Sequence, residues 1–407
     1  MVNDGKKYSD VAALVSDVWN EDVTITDKDE AARFVEDEMR IREGVMAFTL
    51  KDGSVLFTRN RANAPAAVKF EHRYEMPPFA NEVKGLLSQA INGRRSSNIL
   101  LTGAAGTGKS EFVREIAAQM GFSKVFQVNG SDGLTKDDFY GTLGVEVDKS
   151  TGQNYTRFEK GPLYRAFIEG TEVDANGDQV LYDKDGNVSP DGEPKVIGKP
   201  AVFFLDEFAA MLPEVLLGVF NRAMEIPRRD GQSRTMEVAA EGGKVVKSHP
   251  GMVMFFAGNT VGSGNGGRYQ MGYTAQSNRM DESTLNRITA SYRFGYNKRA
   301  EKNIATGMLG DEYEVARLLK FKDQMRSLYR NEKVEKLFTT RTLVQICKVA
   351  IAYRESNISD YVALAIRDAV LNGLAEQDWP AFNEEVRMIY GIDFQARESG
   401  SSDYDYM

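Results

Sequence analysis

Residues 103–110 read Gly-Ala-Ala-Gly-Thr-Gly-Lys-Ser, and nothing else in the chain narrows its architecture so far. The apolar run NILLT (98–102) precedes them, and a stretch with Phe112, Val113, Ile116 and Ala117 at helical spacing follows. The spacing GxxxxGK[ST] between a buried strand and an amphipathic helix is a phosphate-binding loop. Its glycines let backbone N–H groups wrap an anion, and the helix N-terminus adds a favourable partial charge. The candidate nucleotide-binding residues are therefore Gly103, Ala104, Ala105, Gly106, Thr107, Gly108, Lys109, Ser110 and Glu111. Lys109 is expected to reach the β- and γ-phosphates, and Ser110 to ligate Mg²⁺.

From residue 98 to about 297 the pattern alternates between strand and helix. NILLT, VFQV, AVFFLD, MVMFFAG and ASYRFGY are short apolar runs of the kind found in strands covered on both faces. Helices are expected at Ser110–Met120, Gly161–Glu169 and Pro213–Met224, the first two stopped by Gly121 and Gly170. The alternation predicts an α/β fold, a three-layer sandwich with a parallel five-stranded sheet.

Two further strand ends carry polar groups to the sheet edge where ligands of open α/β sheets bind. AVFFLDEF sets Asp206 and Glu207 there, the first to hold Mg²⁺ and the second to polarise an attacking water. MVMFFAGN sets Asn259 there, a neutral side chain able to orient that water. After Asn259 the chain is unusually loose, with six glycines from Gly258 to Gly272. Ordering so many glycines is costly, so this segment is expected either to stay mobile or to be held by something.

Composition excludes several other chemistries. The chain has one cysteine (Cys347) and two histidines (His72 and His249), which leaves no internal disulfide, no CxxC metal site and little material for a zinc site or a Ser–His triad. Its net charge of −8 does not suggest a large basic nucleic-acid surface. No apolar run approaches a membrane span, and the N-terminus MVNDGKKYSDVAALV lacks the core of a signal peptide, so the expected compartment is the cytoplasm.

The order of GAAGTGKS, FFLDEF, FFAGNT, DESTLNRI and FTTRTL resembles an AAA+ ATPase over about residues 75–390. Within that group, RFEKGPLYRAFIEG (157–170) and the stretch from GNTVGSGN to DESTLNRI are similar to the MoxR and cobaltochelatase CobS branch, which includes the CbbQ and NorQ activators. The resemblance implies MgATP hydrolysis at subunit interfaces, a homo-oligomeric ring expected to be hexameric, and a protein client. The usual partner of the branch is a von Willebrand factor A-domain protein, and metal chelation is one of its jobs. It implies sensor 1 for Asn259, sensor 2 for Arg341 in TTRTL, and an arginine finger reaching the neighbouring subunit for Arg287 in LNRI. Asn286 stands where Asp is usual, and Arg279 and Arg293 are nearby alternatives for the finger. The preference for ATP is likewise the family's, with Tyr74–Phe79 offered as lining for the base. A nucleic-acid motor or restriction-type NTPase is the alternative, disfavoured by the acidic balance and the lack of a basic, aromatic-studded stretch.

The expected layout is a small α+β region at 1–62, an AAA+ α/β core at 75–298, a small helical lid at 299–393 and a disordered tail at 394–407. In the first region Thr26–Asp27 is expected to cap a helix through Arg42, and MAFTL and SVLFT to flank a hairpin turn. Hairpin insertions are expected at about 141–158, 171–198 and 235–247. The first resembles the helix-2 insert of the branch. The second has Asn176-Gly177 and Asp185-Gly186 as turns, and its acidic residues lack EF-hand spacing.

Overall fold

The computed structural model describes residues 23–27, 46–50, 54–58, 74–147, 153–259, 282–370 and 373–394, together with Leu14, Val18, 29–31 and Phe34. The chain divides into two compact units, residues 74–295 and residues 1–73 with 296–407.

The first unit is built on five parallel strands, numbered here in chain order: β1 (Ser97–Gly103), β2 (Val125–Asn129), β3 (Val202–Asp206), β4 (Val253–Gly258) and β5 (Ala290–Phe294). They lie in the order β5-β1-β4-β3-β2. Because side chains alternate across a strand, each apolar run serves two cores. Val202, Phe204, Val253, Phe255, Ile99 and Leu101 face one side, where they meet Val83 and Leu87 of α1 (Ala80–Ile91) and Phe112 and Ile116 of α2 (Lys109–Met120). Phe203, Leu205, Met254, Phe256 and Leu100 face the other. There they meet Phe139 of α3 (Lys136–Tyr140), Tyr164 and Phe167 of α4 (Pro162–Ile168), and Val219 and Phe220 of α5 (Pro213–Ala223). The result is the expected three-layer sandwich. Leu205 is level with Phe256, and Gly258 with Thr102, so β1, β3 and β4 end together at one rim.

Three hairpins leave this core. Gly141–Val147 pairs with Asn154–Lys160, Leu181–Tyr182 with Glu193–Pro194, and Thr235–Val238 with Lys244–Lys247. In the second, Asp174 Oδ1 accepts from the N–H groups of Asn176 and Asp178, and Asp183 Oδ1 accepts from those of Asp185 and Asn187. These aspartates are spent on closing turns through their own backbone.

The second unit contains α6 (Lys298–Leu309), α7 (Glu312–Arg330), α8 (Thr340–Glu355), α9 (Tyr361–Val370) and α10 (Trp379–Tyr390). They share a core that includes Leu318, Phe321, Ile346, Ile366 and Phe382. Strands Val23–Ile25, Met46–Thr49 and Val55–Thr58 form an antiparallel sheet in the same unit. The strand Val23–Ile25 was not foreseen from the sequence: VTI is too short to show a period. Asp27 Oδ1 does accept from the N–H groups of Asp29 and Glu30, as a helix cap should. Val23, Ile25, Ala47 and Phe57 pack against Tyr313 of α7, with the Phe57 and Tyr313 rings 5.5 Å apart. The turn at 51–53, the stretch RANAPAAV (61–68), which reads from the sequence as a linker, His72, the glycine-rich segment after Asn259, Arg279 and the tail lie outside the described residues.

Candidate functional site at the sheet rim

Beyond β1 the chain turns sharply into α2, and the turn depends on glycine. Gly103 has φ 143°, and a Cβ there would lie 2.3 Å from the carbonyl oxygen of Phe294 on β5. Gly106 and Gly108 also have positive φ, 69° and 89°. The Thr107 hydroxyl donates to the Ala104 carbonyl (2.8 Å) and closes the loop on itself. The Tyr74 hydroxyl donates to the Gly108 carbonyl (3.1 Å), and its ring faces the spot where a side chain at 108 would stand. Burial, with Glu111 and Glu115 nearby, raises the Tyr74 phenol above its ordinary pKa, so it remains a donor.

Lys109, the first residue of α2, is 8% exposed. Its ammonium donates to the carbonyls of Gly103 (2.7 Å) and Ala104 (3.0 Å) and to Asn259 Oδ1 (3.3 Å). Burial lowers its pKa to about 8, against the opposing pull of Asp206 and Glu207. The next residue, Ser110, donates its hydroxyl to Asp206 Oδ2. One loop and two strand ends thus converge: Lys109 and Ser110 from α2, Asp206 from β3, Asn259 from the end of β4.

Glu207 sits one residue beyond Asp206 with its side chain exposed. Its φ of 54° is left-handed, a conformation that costs a non-glycine residue roughly 1–3 kcal/mol. Its N–H donates to Asp206 Oδ1 (3.1 Å), its carbonyl accepts from Ala210 N–H (2.9 Å), and Gly130 N–H donates to the Asp206 carbonyl (2.7 Å). The kink is held on both sides. Gly130 was missed from the sequence, although its place directly after β2, beside the acidic strand end, was a usable signal.

Ser110 Oγ and Asp206 are hard oxygen donors side by side, a donor set that suits Mg²⁺ retaining most of its water. A positive charge, an oxygen pair for a cation, an amide acceptor and an exposed carboxylate lie at one strand rim beside a glycine loop. Such an array can bind a polyphosphate and present a water to it.

The remaining predicted residues lie elsewhere. Glu111 is exposed on α2, 3.5 Å from Arg114. Arg287 leads into β5, whose first residue Ala290 is level with Ile99 near the start of β1; Phe294, not Ala290, is level with Gly103. Arg287 is therefore at the opposite edge of the sheet from the loop, and its guanidinium donates to the Ser283 carbonyl (2.6 Å). Arg293 is exposed and level with Thr102. Arg341 is exposed in the first turn of α8, in the other compact unit. His249 is structural: Gly251 N–H donates to its Nδ1 (2.9 Å), and burial lowers its pKa. Among the described residues no group of three or more His, Cys, Asp and Glu could hold a metal, and no helix is long and apolar enough to cross a membrane.

Residues 98–272 match the family model for the AAA domain of the dynein-related subfamily. No curated protein matches the chain. Among solved structures, the RuvB Holliday junction branch migration motor of Thermotoga maritima is similar at 13% identity and a TM-score of 0.39, covering 76% of each chain. A point mutant of the same motor gives 12% identity and a TM-score of 0.40, covering 76% of this chain and 75% of that one. The parallel sheet in the order β5-β1-β4-β3-β2, the phosphate loop after β1 and the matched segment make this a P-loop α/β fold of the AAA+ type.

Proposed function

We propose that this AAA-domain chain binds and hydrolyses MgATP at the β1–β4–β3 rim and uses the energy to remodel or activate a protein partner. The observation that carries the ATPase reading is the meeting of Lys109, Ser110, Asp206 and Asn259 beside the glycine loop.

The Lys109 ammonium donates to two loop carbonyls and Asn259. On binding, its ammonium exchanges these for β- and γ-phosphate oxygens. Ser110 and Asp206 would hold the Mg²⁺ that accompanies the nucleotide, and the ion would neutralise phosphate charge. Release of Lys109 frees the Asn259 amide to orient a water against the γ-phosphate. Glu207, kept reaching outward by its left-handed kink, accepts a hydrogen bond from that water and polarises it.

The finer reading rests on the sequence resemblance to the MoxR and CobS branch. Arg287, at the far edge of its own sheet, serves the site of the next subunit in a homo-oligomeric ring, expected to be hexameric. Arg341 reaches the nucleotide as sensor 2. A von Willebrand factor A-domain protein is the proposed partner, and assistance to a metal chelatase is one proposed task. An arginine supplied in trans is worth roughly 10³–10⁵ in rate, so isolated subunits are poor catalysts.

Phosphate release tests the core of this. Glu207→Gln is expected to retain nucleotide binding and lose turnover, and to trap the client for identification. Arg287→Ala is expected to bind nucleotide without hydrolysing it. Full turnover by Glu207→Gln would remove the assignment. Stimulation of the parent by duplex or single-stranded DNA would favour a nucleic-acid motor instead.

A further inference from the structure

The second residue of β1 is an asparagine just before the apolar run Ile99–Leu101, and it is fully buried. Its Nδ2 donates to the carbonyls of Met224 (2.7 Å) and Arg287 (2.8 Å). Its backbone N–H donates to Thr289 Oγ1 (3.0 Å), and its carbonyl accepts from Thr289 N–H (2.7 Å). Three bonds therefore stitch residues 287–289 to one residue of the central sheet.

Asn98 is itself held by an unusual neighbour. Arg234, at the start of the third hairpin, is 1% exposed, and none of its recorded partners is a carboxylate. One terminal nitrogen donates to Asn98 Oδ1 (2.6 Å) and the Ala223 carbonyl (3.1 Å), the other to the Ser97 carbonyl (3.2 Å). Its Nε has no hydrogen-bond partner among the described residues. Burial lowers its pKa to about 9. A buried cation without a counter-charge is expensive, so a purely structural site would be better filled by an apolar side chain. What Arg234 accomplishes is to fix the flip of the Asn98 amide. With Oδ1 committed to Arg234, Nδ2 must face Met224 and Arg287.

We infer that Asn98 and Arg234 are positioning residues for the arginine finger, clamping the Arg287 backbone so that its guanidinium is presented at a fixed place to the next subunit. This rests on the reading of Arg287 as a residue acting in trans. A finger must meet the γ-phosphate within a fraction of an ångström, so its mounting should be rigid. Here the mounting is a strand of the central sheet, and the same strand leads into the phosphate loop of the subunit's own site.

The test is a subunit-mixing experiment. Asn98→Ala should lower kcat at least tenfold, with nucleotide Kd unchanged within twofold, because its own cradle is intact. Lys109→Ala lacks a working cradle but has an intact finger. Mixed with excess Lys109→Ala, the Asn98→Ala subunits should regain turnover, as should Arg287→Ala subunits. Thr289→Val, isosteric and at an exposed position, removes one stitch and should show a smaller defect that is rescued in the same way; it decides the matter if Asn98→Ala does not fold. Full activity of Asn98→Ala and Thr289→Val while Arg287→Ala is dead would overturn the inference. So would rescue of Arg287→Ala without rescue of the folded positioning variant. Failure of Arg287→Ala itself to be rescued would strike the underlying reading of a finger in trans.

Discussion

Gly130 lies so close beneath Glu207 that a Cβ at position 130 would stand 2.4 Å from the Glu207 carbonyl oxygen. The glycine after β2 thus sets where the carboxylate after β3 can go. Backbone atoms cannot yield as a flexible side chain tip does, so Gly130→Ala should shift the left-handed kink at Glu207. The expected outcome is a fall in kcat of tenfold or more with nucleotide binding retained, read by phosphate release beside a binding titration. Unaltered kcat would show that the kink does not set the position of the polarising group.

Lys109 should make nucleotide affinity depend on pH above neutrality. Its pKa of about 8 in the free protein means that it loses its charge in the alkaline range, whereas phosphate oxygens favour the ammonium. Binding above pH 8 must then take up a proton, and Kd should rise by up to about tenfold per pH unit. Calorimetry in buffers of different ionisation enthalpy would detect the proton, and its absence would contradict the assignment.

The same burial predicts a stability effect. A lysine depressed from 10.5 to about 8 destabilises the folded state by about 3 kcal/mol wherever it is charged in both states, that is, below about pH 8. Between about 8 and 10.5 the unfolded chain holds more protons, so this term makes stability rise with pH. Lys109→Met should therefore leave the empty protein at least as stable as the parent at pH 7, while nucleotide no longer raises its Tm. A Tm well below the parent's would show that the bonds to Gly103 and Ala104 outweigh the burial of charge.

In the helical unit, Glu301 is 1% exposed and is held by Arg326 (2.6 and 2.9 Å), Lys322 (2.9 Å) and the Thr340 hydroxyl (2.6 Å). Arg326 also donates to the Phe338 carbonyl (2.8 Å), so the cluster fixes both sides of the helix start that carries Arg341. Burial raises the Glu301 pKa, but the hydrogen bonds and charge of Arg326, with Thr340 and Lys322, pull it further down, and the net shift is downward. Its stabilising contribution is present above the ordinary carboxylate pKa near 4.5 and is lost as pH falls through the lower folded value. Glu301→Gln leaves Arg326 buried without an anion, while Lys322 keeps Asp323 (3.2 Å), and should cost about 3–5 kcal/mol. Thermal melts at pH 7 and under acid should show a large loss for the variant at neutrality that narrows as the parent is acidified.

Much of this was legible in the sequence. The five strands read as apolar runs because both faces of the sheet are covered, and the glycines after β1 and at the end of β4 marked the rim where the chain must turn. Lys109 and Ser110 were visible from the GxxxxGK[ST] spacing after the first run, and Asp206 and Asn259 because each follows directly on such a run. Gly130 and Asn98 were not singled out, since their roles come from neighbours far away in sequence: Glu207 for one, Arg287 and Thr289 for the other. Arg234 reads as one more charge in a polar hairpin; its burial is decided by the packing of the hairpin against the sheet. The pairing of Tyr313 with the strands at 23–58 was equally hidden, because no local pattern reports which distant surface completes a small core.

That last pairing bears on how the polypeptide comes off the ribosome. Val23, Ile25 and Phe57 are synthesised early, but the helix bearing Tyr313 emerges more than two hundred residues later, after the whole α/β unit. Until then the nascent strands have only Leu14, Val18, Ala31 and Phe34 to pack against, and their small core lacks the Tyr313 ring. This interval is when a holdase would be most useful and when aggregation is most probable during production.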